Sequence, residues 1–265
     1  MLARGLLLLS LMILSPAVAA RPAFFWQPSP GSYLAADYLD FAGSDLDNRD
    51  GDEIGGLRSY VGGQYQGDDK VWSAAFAHEY NALDIDLTGP GPQTNGDLHT
   101  LHLAGHWQFP VSDGQLALSL APAVAASSNA MKNPDELGSD SLQLWAAAAW
   151  RKPSLHGDWI LGLAHDYRFG QSRVYPVAGM GWQFPRGEIR ATYPDLYLGW
   201  EFALRWLLEF SYSPDGNEWQ AYDRDLEDDD DFRREAWQSN LRLSYRLRNG
   251  LRIGLSAGYY WQQTW

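Results

Sequence analysis

The feature that most constrains this chain is a strict two-residue alternation sustained over long runs. Between Leu196 and Tyr212 the even positions are Leu196, Leu198, Trp200, Phe202, Leu204, Trp206, Leu208, Phe210 and Tyr212. The odd positions are Tyr197, Gly199, Glu201, Ala203, Arg205, Leu207, Glu209 and Ser211, small, charged or mixed. A pleated strand sends these two sets to opposite faces. A helix would gather Glu201, Arg205 and Glu209 in a stripe but scatter the apolar residues all round its axis. The same alternation returns in Leu241–Leu247, Leu251–Trp261, Leu142–Trp150 and Leu116–Val124.

Alternation predicts strands near 31–41, 56–66, 71–87, 97–109, 115–127, 139–152, 158–168, 174–184, 188–193, 196–213, 233–248 and 250–262. Most run to ten residues or more, whereas strands of water-soluble domains usually have about five or six. A tilted membrane-crossing strand needs about 9–11. The expected fold is therefore all-β: a closed antiparallel up-and-down transmembrane β-barrel of about twelve strands, with ten and fourteen as the alternatives. Short links at 67–70, 110–114, 153–157 and 185–187 alternate with longer polar ones at 43–54, 88–96 and 128–138 and a shorter one near 169–173. In bacterial barrels the short turns are periplasmic and the long loops external. Twelve strands place the long acidic segment 214–232 on the short-turn side. Reading Glu218–Tyr222 as an extra strand moves it across but makes the count odd.

Composition narrows the class. The chain of 265 residues has 33 acids against 20 bases, a net charge of -13 and no Cys. Thirteen Trp, 14 Tyr and 10 Phe are too many for a disordered chain. The acidic balance argues against nucleic acid as a partner. The missing Cys excludes disulfides, Cys-ligated metal and lipoprotein acylation. Residues 1–20 read as a secretory signal peptide, with Arg4, an apolar run over 5–14, Pro16 and a small-residue cleavage site after Ala19 or Ala20. Residues 21–265 then form one exported domain. A mean hydropathy of -0.36 fits strands that average an apolar face with a polar one.

The aromatics add position. Trp72, Trp107, Phe109, Trp150, Trp159, Trp182 and Phe184 all lie beside short turns. That is where a membrane-interface girdle would sit, rings in the headgroups with their polar edges wet. The chain ends Tyr259, Trp261, Trp265 at one parity. This ending resembles the assembly signal of Gram-negative outer-membrane β-barrels, with Gln263 departing from the apolar residue usual there. With the leader and the alternation, the resemblance covers the whole mature chain. It is closest to uncharacterised proteobacterial outer-membrane barrels. The resemblance implies an outer-membrane location, lipid and lipopolysaccharide as surroundings, and the barrel-assembly machinery as partner during biogenesis.

The predicted lumen face carries Arg58, Glu79, Asp166, Arg168, Glu201, Arg205, Glu209, Arg242, Arg246 and Arg252, together with Gly179, Gly181, Gly254 and Gly258. The charges suit either a solute pore or a salt-bridged interior. His102 and His106 share that face about 13 Å apart along one strand, too far for one metal. The acidic runs Asp45–Glu53 and Asp225–Asp231 suit divalent cations or, equally, solvated loops. The outer-membrane phospholipase and lipid A deacylases carry His-x-Ser, and omptin proteases an Asp–His couple. No His-x-Ser occurs here, and the neighbours His165 and Asp166 would point to opposite faces of a strand. The expectation is a non-enzymatic barrel without cofactor or metal, passing small solutes or serving the envelope structurally. The alternative is a barrel enzyme acting on lipid A, phospholipid or peptide.

Overall fold

The computed structural model describes residues 8–15, 33–45, 53–86, 96–133, 135, 137–155, 157–223, 228–247 and 252–264. Fifteen strands are present among them: β1 (Leu8–Ser15), β2 (Tyr33–Asp45), β3 (Glu53–Gln66), β4 (Trp72–Asp86), β5 (Gly96–Val111), β6 (Gly114–Ser127), β7 (Leu142–Ser154), β8 (Gly157–Asp166), β9 (Arg173–Phe184), β10 (Gly187–Tyr193), β11 (Asp195–Ala203), β12 (Trp206–Pro214), β13 (Asn217–Asp223), β14 (Asp228–Arg246) and β15 (Arg252–Thr264). One short helix, α1 (Ser128–Lys132), and a 3-10 turn over Ser139–Ser141 join β6 to β7. None of the described helices is long and apolar enough to cross a membrane.

The strands form one antiparallel meander. Each of β2 to β12 pairs with its sequence neighbour, then β12 pairs β14 and β14 pairs β15. β1 pairs β15 from Leu8–Gly258 to Ser15–Arg252, and it lies beside β2. It belongs to the segment expected to leave on export. β13 departs from the meander, pairing β14 on one side and touching β6 at Gln220–Ala126. The ring β6–β12, β14, β13 therefore closes as a nine-strand barrel, with β2–β5 and β15 continuing the wall.

Alternation sorts the side chains. Outward positions such as Leu34, Leu103, Leu142, Leu161, Leu163 and Val174 are apolar and 59–67% exposed. Inward positions include Arg58, Asp166, Arg168, Glu209 and Arg242, all buried. The inner wall of β6–β9 is packed with small and flat residues: Ala121, Ala123, Trp145, Ala147, Ala149, Ile160, Tyr175 and Val177.

Two expectations are corrected. The stretch 196–213 is a hairpin, not one strand: Leu196 pairs Tyr212, Leu198 pairs Phe210 and Trp200 pairs Leu208 across a turn at Leu204–Arg205. Beside the turn Ala203 faces Trp206, and a register shift between Ala203 and Trp200 restores even-to-even pairing, so both strands carry their apolar residues at the same parity. The meander then counts thirteen strands (β2–β12, β14 and β15), or with β1 fourteen, the upper of the expected alternatives, and not twelve. The extra strand shifts everything after it. β14 ends and β15 begins at the short-turn end, where Arg246 pairs Arg252 and Arg246 N donates to Arg205 O at 2.8 Å. The acidic segment after Pro214 falls with the long links, and it contains a strand, β13, where Glu218–Tyr222 allowed one.

Candidate functional site: a plugged lumen

At the end of the long links, β13 and the first half of β14 fold inward over the lumen as a hairpin. The bend is at Asp215–Gly216, and backbone contacts fix it. Asp215 N donates to Ala236 O at 2.8 Å, and Gly216 N donates to Arg168 O at 2.7 Å. A Cβ on Gly216 would stand 2.3 Å from Arg234 O, 2.6 Å from Gly170 N and 2.8 Å from Arg168 O. Only glycine fits where these three segments meet.

The hairpin reaches the opposite wall. Trp219 is completely buried and packs with Leu39 of β2, Leu83 of β4, Leu98 of β5 and Ala125 of β6. Its Nε1 donates to Thr100 Oγ1 at 2.9 Å, and Asn217 Nδ2 donates to the same oxygen at 3.0 Å. Gln143 Nε2 donates to Asn217 Oδ1 and to Glu218 O, at 3.1 and 2.6 Å. Gly138 N donates to Gln220 Oε1 at 3.0 Å, tying the β6–β7 link onto the hairpin. Hydrogen bonding here satisfies groups that burial would otherwise penalise.

Two buried ionic networks lie beneath. In the first, Arg58 grips Asp215 with both terminal nitrogens, at 2.8 and 2.9 Å. Glu79 lies 3.4 Å from Arg58 Nε, and Tyr260 accepts from Nη1 at 3.3 Å. Arg234 stands 3.6 Å from Asp215, its guanidinium over the Trp219 and Tyr260 rings. Two arginines and two carboxylates balance. In the second, Arg168 binds Asp166 at 2.9 Å and Asp195 at 2.7 Å and donates to Tyr175 at 2.6 Å, while Tyr175 donates to Asp166. Between the networks lies a cavity of about 30 Å³ lined by Arg58, Glu79, His102, Trp145, Arg168 and Arg234. That is room for a water molecule or two.

Nearer the short turns the polar filling is looser. Tyr197 donates to Glu209 at 2.9 Å, and Arg242 stands 4.0 Å from the same carboxylate with its buried Nε unpartnered. Arg190 binds Glu188 at 2.8 Å and lies over the Tyr197 ring.

The ten lumen candidates thus divide. Arg58, Glu79, Asp166, Arg168, Glu209 and Arg242 point inward into these networks. Glu201 and Arg246 are exposed at the short-turn rim, Arg205 lies in the β11–β12 turn and donates to Tyr245 at 3.4 Å, and Arg252 is half-buried at the same end. These four are rim residues and not part of the filled interior. His102 and His106 are wall residues: His102 meets Trp145 edge-on and His106 bonds Ser119 at 2.9 Å.

The aromatics beside the short turns share one rim: Trp72 pairs Trp107, Phe109 and Trp150 both flank Leu116, and Trp159, Trp182 and Phe184 continue along it. Trp200, Phe202, Trp206 and Tyr245 extend it across β11, β12 and β14. On the same rim the Lys152 ammonium, 2.7 Å from Asp113, holds that carboxyl below the usual carboxylate range. Tyr259 and Trp261 contact each other at 4.7 Å and face outward, but β15 carries them toward the long-link end. Trp265, residues 46–52 of the first acidic run, and Asp225 and Glu227 lie outside the described residues. No group of three or more metal-binding side chains occurs among the described residues.

Alternation could not reveal the partners of Trp219 or Asp215, because both lie in a segment that reads as a loop. The polar–apolar alternation of Glu218-Trp219-Gln220-Ala221 is the available signal.

No protein-family model matches this chain, and no curated protein matches it either. The functional reading rests on the geometry itself.

Proposed function

We propose that the chain is an integral outer-membrane β-barrel, exported by a cleaved leader, whose lumen is closed at rest by the β13–β14 hairpin and admits small solutes when that hairpin leaves. The observation that carries the membrane reading is the inverted polarity of the wall: apolar side chains outside, ionic networks inside. Water-soluble proteins rarely expose contiguous apolar patches beyond a few hundred Å². Here such residues run round strand after strand. The belt has a suitable height. Trp107 and His99 bound it on β5, about 27 Å apart along the strand and about 20 Å apart along the axis at the usual tilt.

The gating reading draws on the nature of the plug's contacts. Its anchor is a set of polar bonds from Asp215, Asn217 and Gln220 to other strands, set beside one glycine bend. Polar anchors released together leave a vestibule lined by Arg58, Arg168 and Glu79.

Planar-bilayer recording of the detergent-folded protein tests this. The wild type should be almost silent, and variants freed at Asp215 or Trp219 should conduct. Silence in freed variants that still fold would leave a purely structural barrel.

A further inference from the structure

We propose that Ser128, His99 and His78 form a serine hydrolase site on the outer face of the long-link rim, acting on acyl esters of membrane lipid. The lipid substrate rests on the membrane reading above. The site itself does not.

Ser128 opens α1, and its backbone is fixed on both sides. Ser127 caps the helix by accepting from Ala130 N, and Ser127 and Ala130 are buried. Ser128 Oγ lies 2.7 Å from His99 Nε2. The other nitrogen of the same ring, Nδ1, lies 3.1 Å from His78 Nε2. The rings are within 5° of coplanar with centroids 5.4 Å apart. That spacing is what an in-line pairing of two ring nitrogens gives, so the contact is edge to edge in one plane. Tyr80 packs on His99 at 4.9 Å and donates to Asp97 at 2.9 Å, which places a carboxylate beside the base.

A nucleophile, a base within hydrogen-bond reach and a third group orienting the base are the parts covalent catalysis requires. One set of neutral tautomers satisfies all three. His99 Nε2 accepts from the Ser128 hydroxyl, and His99 Nδ1–H donates to His78 Nε2. Ser128 Oγ then attacks the ester carbonyl carbon while its proton passes to His99 Nε2. The carbonyl π electrons move to oxygen. On collapse the C–O bond to the alcohol breaks, His99 returns the proton to the departing oxygen, and an acyl-Ser128 remains. Water then attacks the acyl carbon while His99 Nε2 takes its proton, and as the acyl C–Oγ bond breaks His99 returns that proton to Ser128 Oγ, releasing the carboxylic acid and free Ser128. His78 touches no reacting atom and acts as a positioning residue.

Placement gives the substrate class. His78 and His99 stand at the top of the apolar face, directly above exposed Phe76, Leu101 and Leu103. An acyl chain lying on that face brings its ester to the level of Ser128. Two further serine–histidine contacts among the described residues are poorer: His106–Ser119 is buried in the wall, and His165 of the Ser172 pair has the Leu144 carbonyl and the Tyr167 ring beside it and no second imidazole or carboxylate among its described contacts.

The test uses the full chain folded in detergent. A fluorophosphonate probe should label one serine, Ser128. p-Nitrophenyl acetate and p-nitrophenyl palmitate should both be hydrolysed. Ser128→Ala and His99→Gln should lower kcat on the order of a hundredfold or more. His78→Gln should lower kcat less, with KM unchanged and the acid limb of the pH profile displaced. Ser172→Ala should behave as wild type. Boiled and unboiled gel mobility checks that each variant folds. Absence of labelling in folded wild type, or labelling that survives Ser128→Ala, overturns the site. Acetate hydrolysis without palmitate hydrolysis keeps the site and overturns the lipid substrate.

Discussion

Asp215→Asn isolates the anchor of the plug. The carboxylate receives both terminal nitrogens of Arg58 at 2.8 and 2.9 Å, faces Arg234 at 3.6 Å, and is largely buried. The amide keeps the volume and one acceptor but removes the charge, leaving Glu79 to face two buried arginines. Breaking a buried pair by removing one partner costs about 3–5 kcal/mol. The retained acceptor argues for the lower end, about 3 kcal/mol. At 1.4 kcal/mol per tenfold, the undocked hairpin becomes about a hundredfold more populated. The chain has no native Cys, so one engineered thiol reports this directly. Ala125 is fully buried against Trp219, and cysteine is close to it in size. Maleimide labelling of Ala125→Cys should rise about a hundredfold in the Asp215→Asn background, and bilayer openings should become frequent. Unchanged labelling in protein that still shows a heat-dependent gel shift would refute the hairpin as a movable plug.

Further outcomes follow from the same geometry. Trp219→Ala should loosen the hairpin by about 3–5 kcal/mol, the usual cost of emptying a large aromatic site, and should raise the same labelling rate further. Gly216→Ala should undock the hairpin with no loss of polar partners, because its Cβ meets three backbone atoms within 2.8 Å; hydrogen exchange over 217–223 reads this. Leu103→Arg, at a position 67% exposed, should cost about 2–4 kcal/mol in lipid-folding titrations; a cost near zero would point to water around that face. Replacing Leu204-Arg205 by Asn-Gly should be tolerated or stabilising, since that pair favours a two-residue hairpin; collapse of folding would contradict the split of 196–213.

Much of the wall was legible. Leu98, Thr100, His102 and His106 point inward while Leu101, Leu103 and Trp107 point outward, as parity alone requires. What parity hides is a turn that preserves it. Leu204–Arg205 has no Gly, Pro, Asn or Asp, and the register shift beside it restores even-to-even pairing from Trp200–Leu208 onward, so the apolar parity is the same on both strands. One invisible turn reversed the side assigned to everything after it. The contacts of the interior were hidden for another reason. Arg58 and Asp215 lie 157 residues apart, and Ser128, His99 and His78 come from a link and two strands. Pairing at such distances depends on register, which a single strand does not encode. A search for His-x-Ser on one strand could not find a serine brought across from the next connection.

The central claim is an apolar-outside, ionic-inside barrel seated in the outer membrane. Cell fractionation followed by unboiled and boiled gel electrophoresis tests it most directly. The protein should stay with the outer-membrane fraction through carbonate washing and change mobility on boiling. Recovery from the periplasm as a protein that needs no detergent and shows no shift would contradict the account.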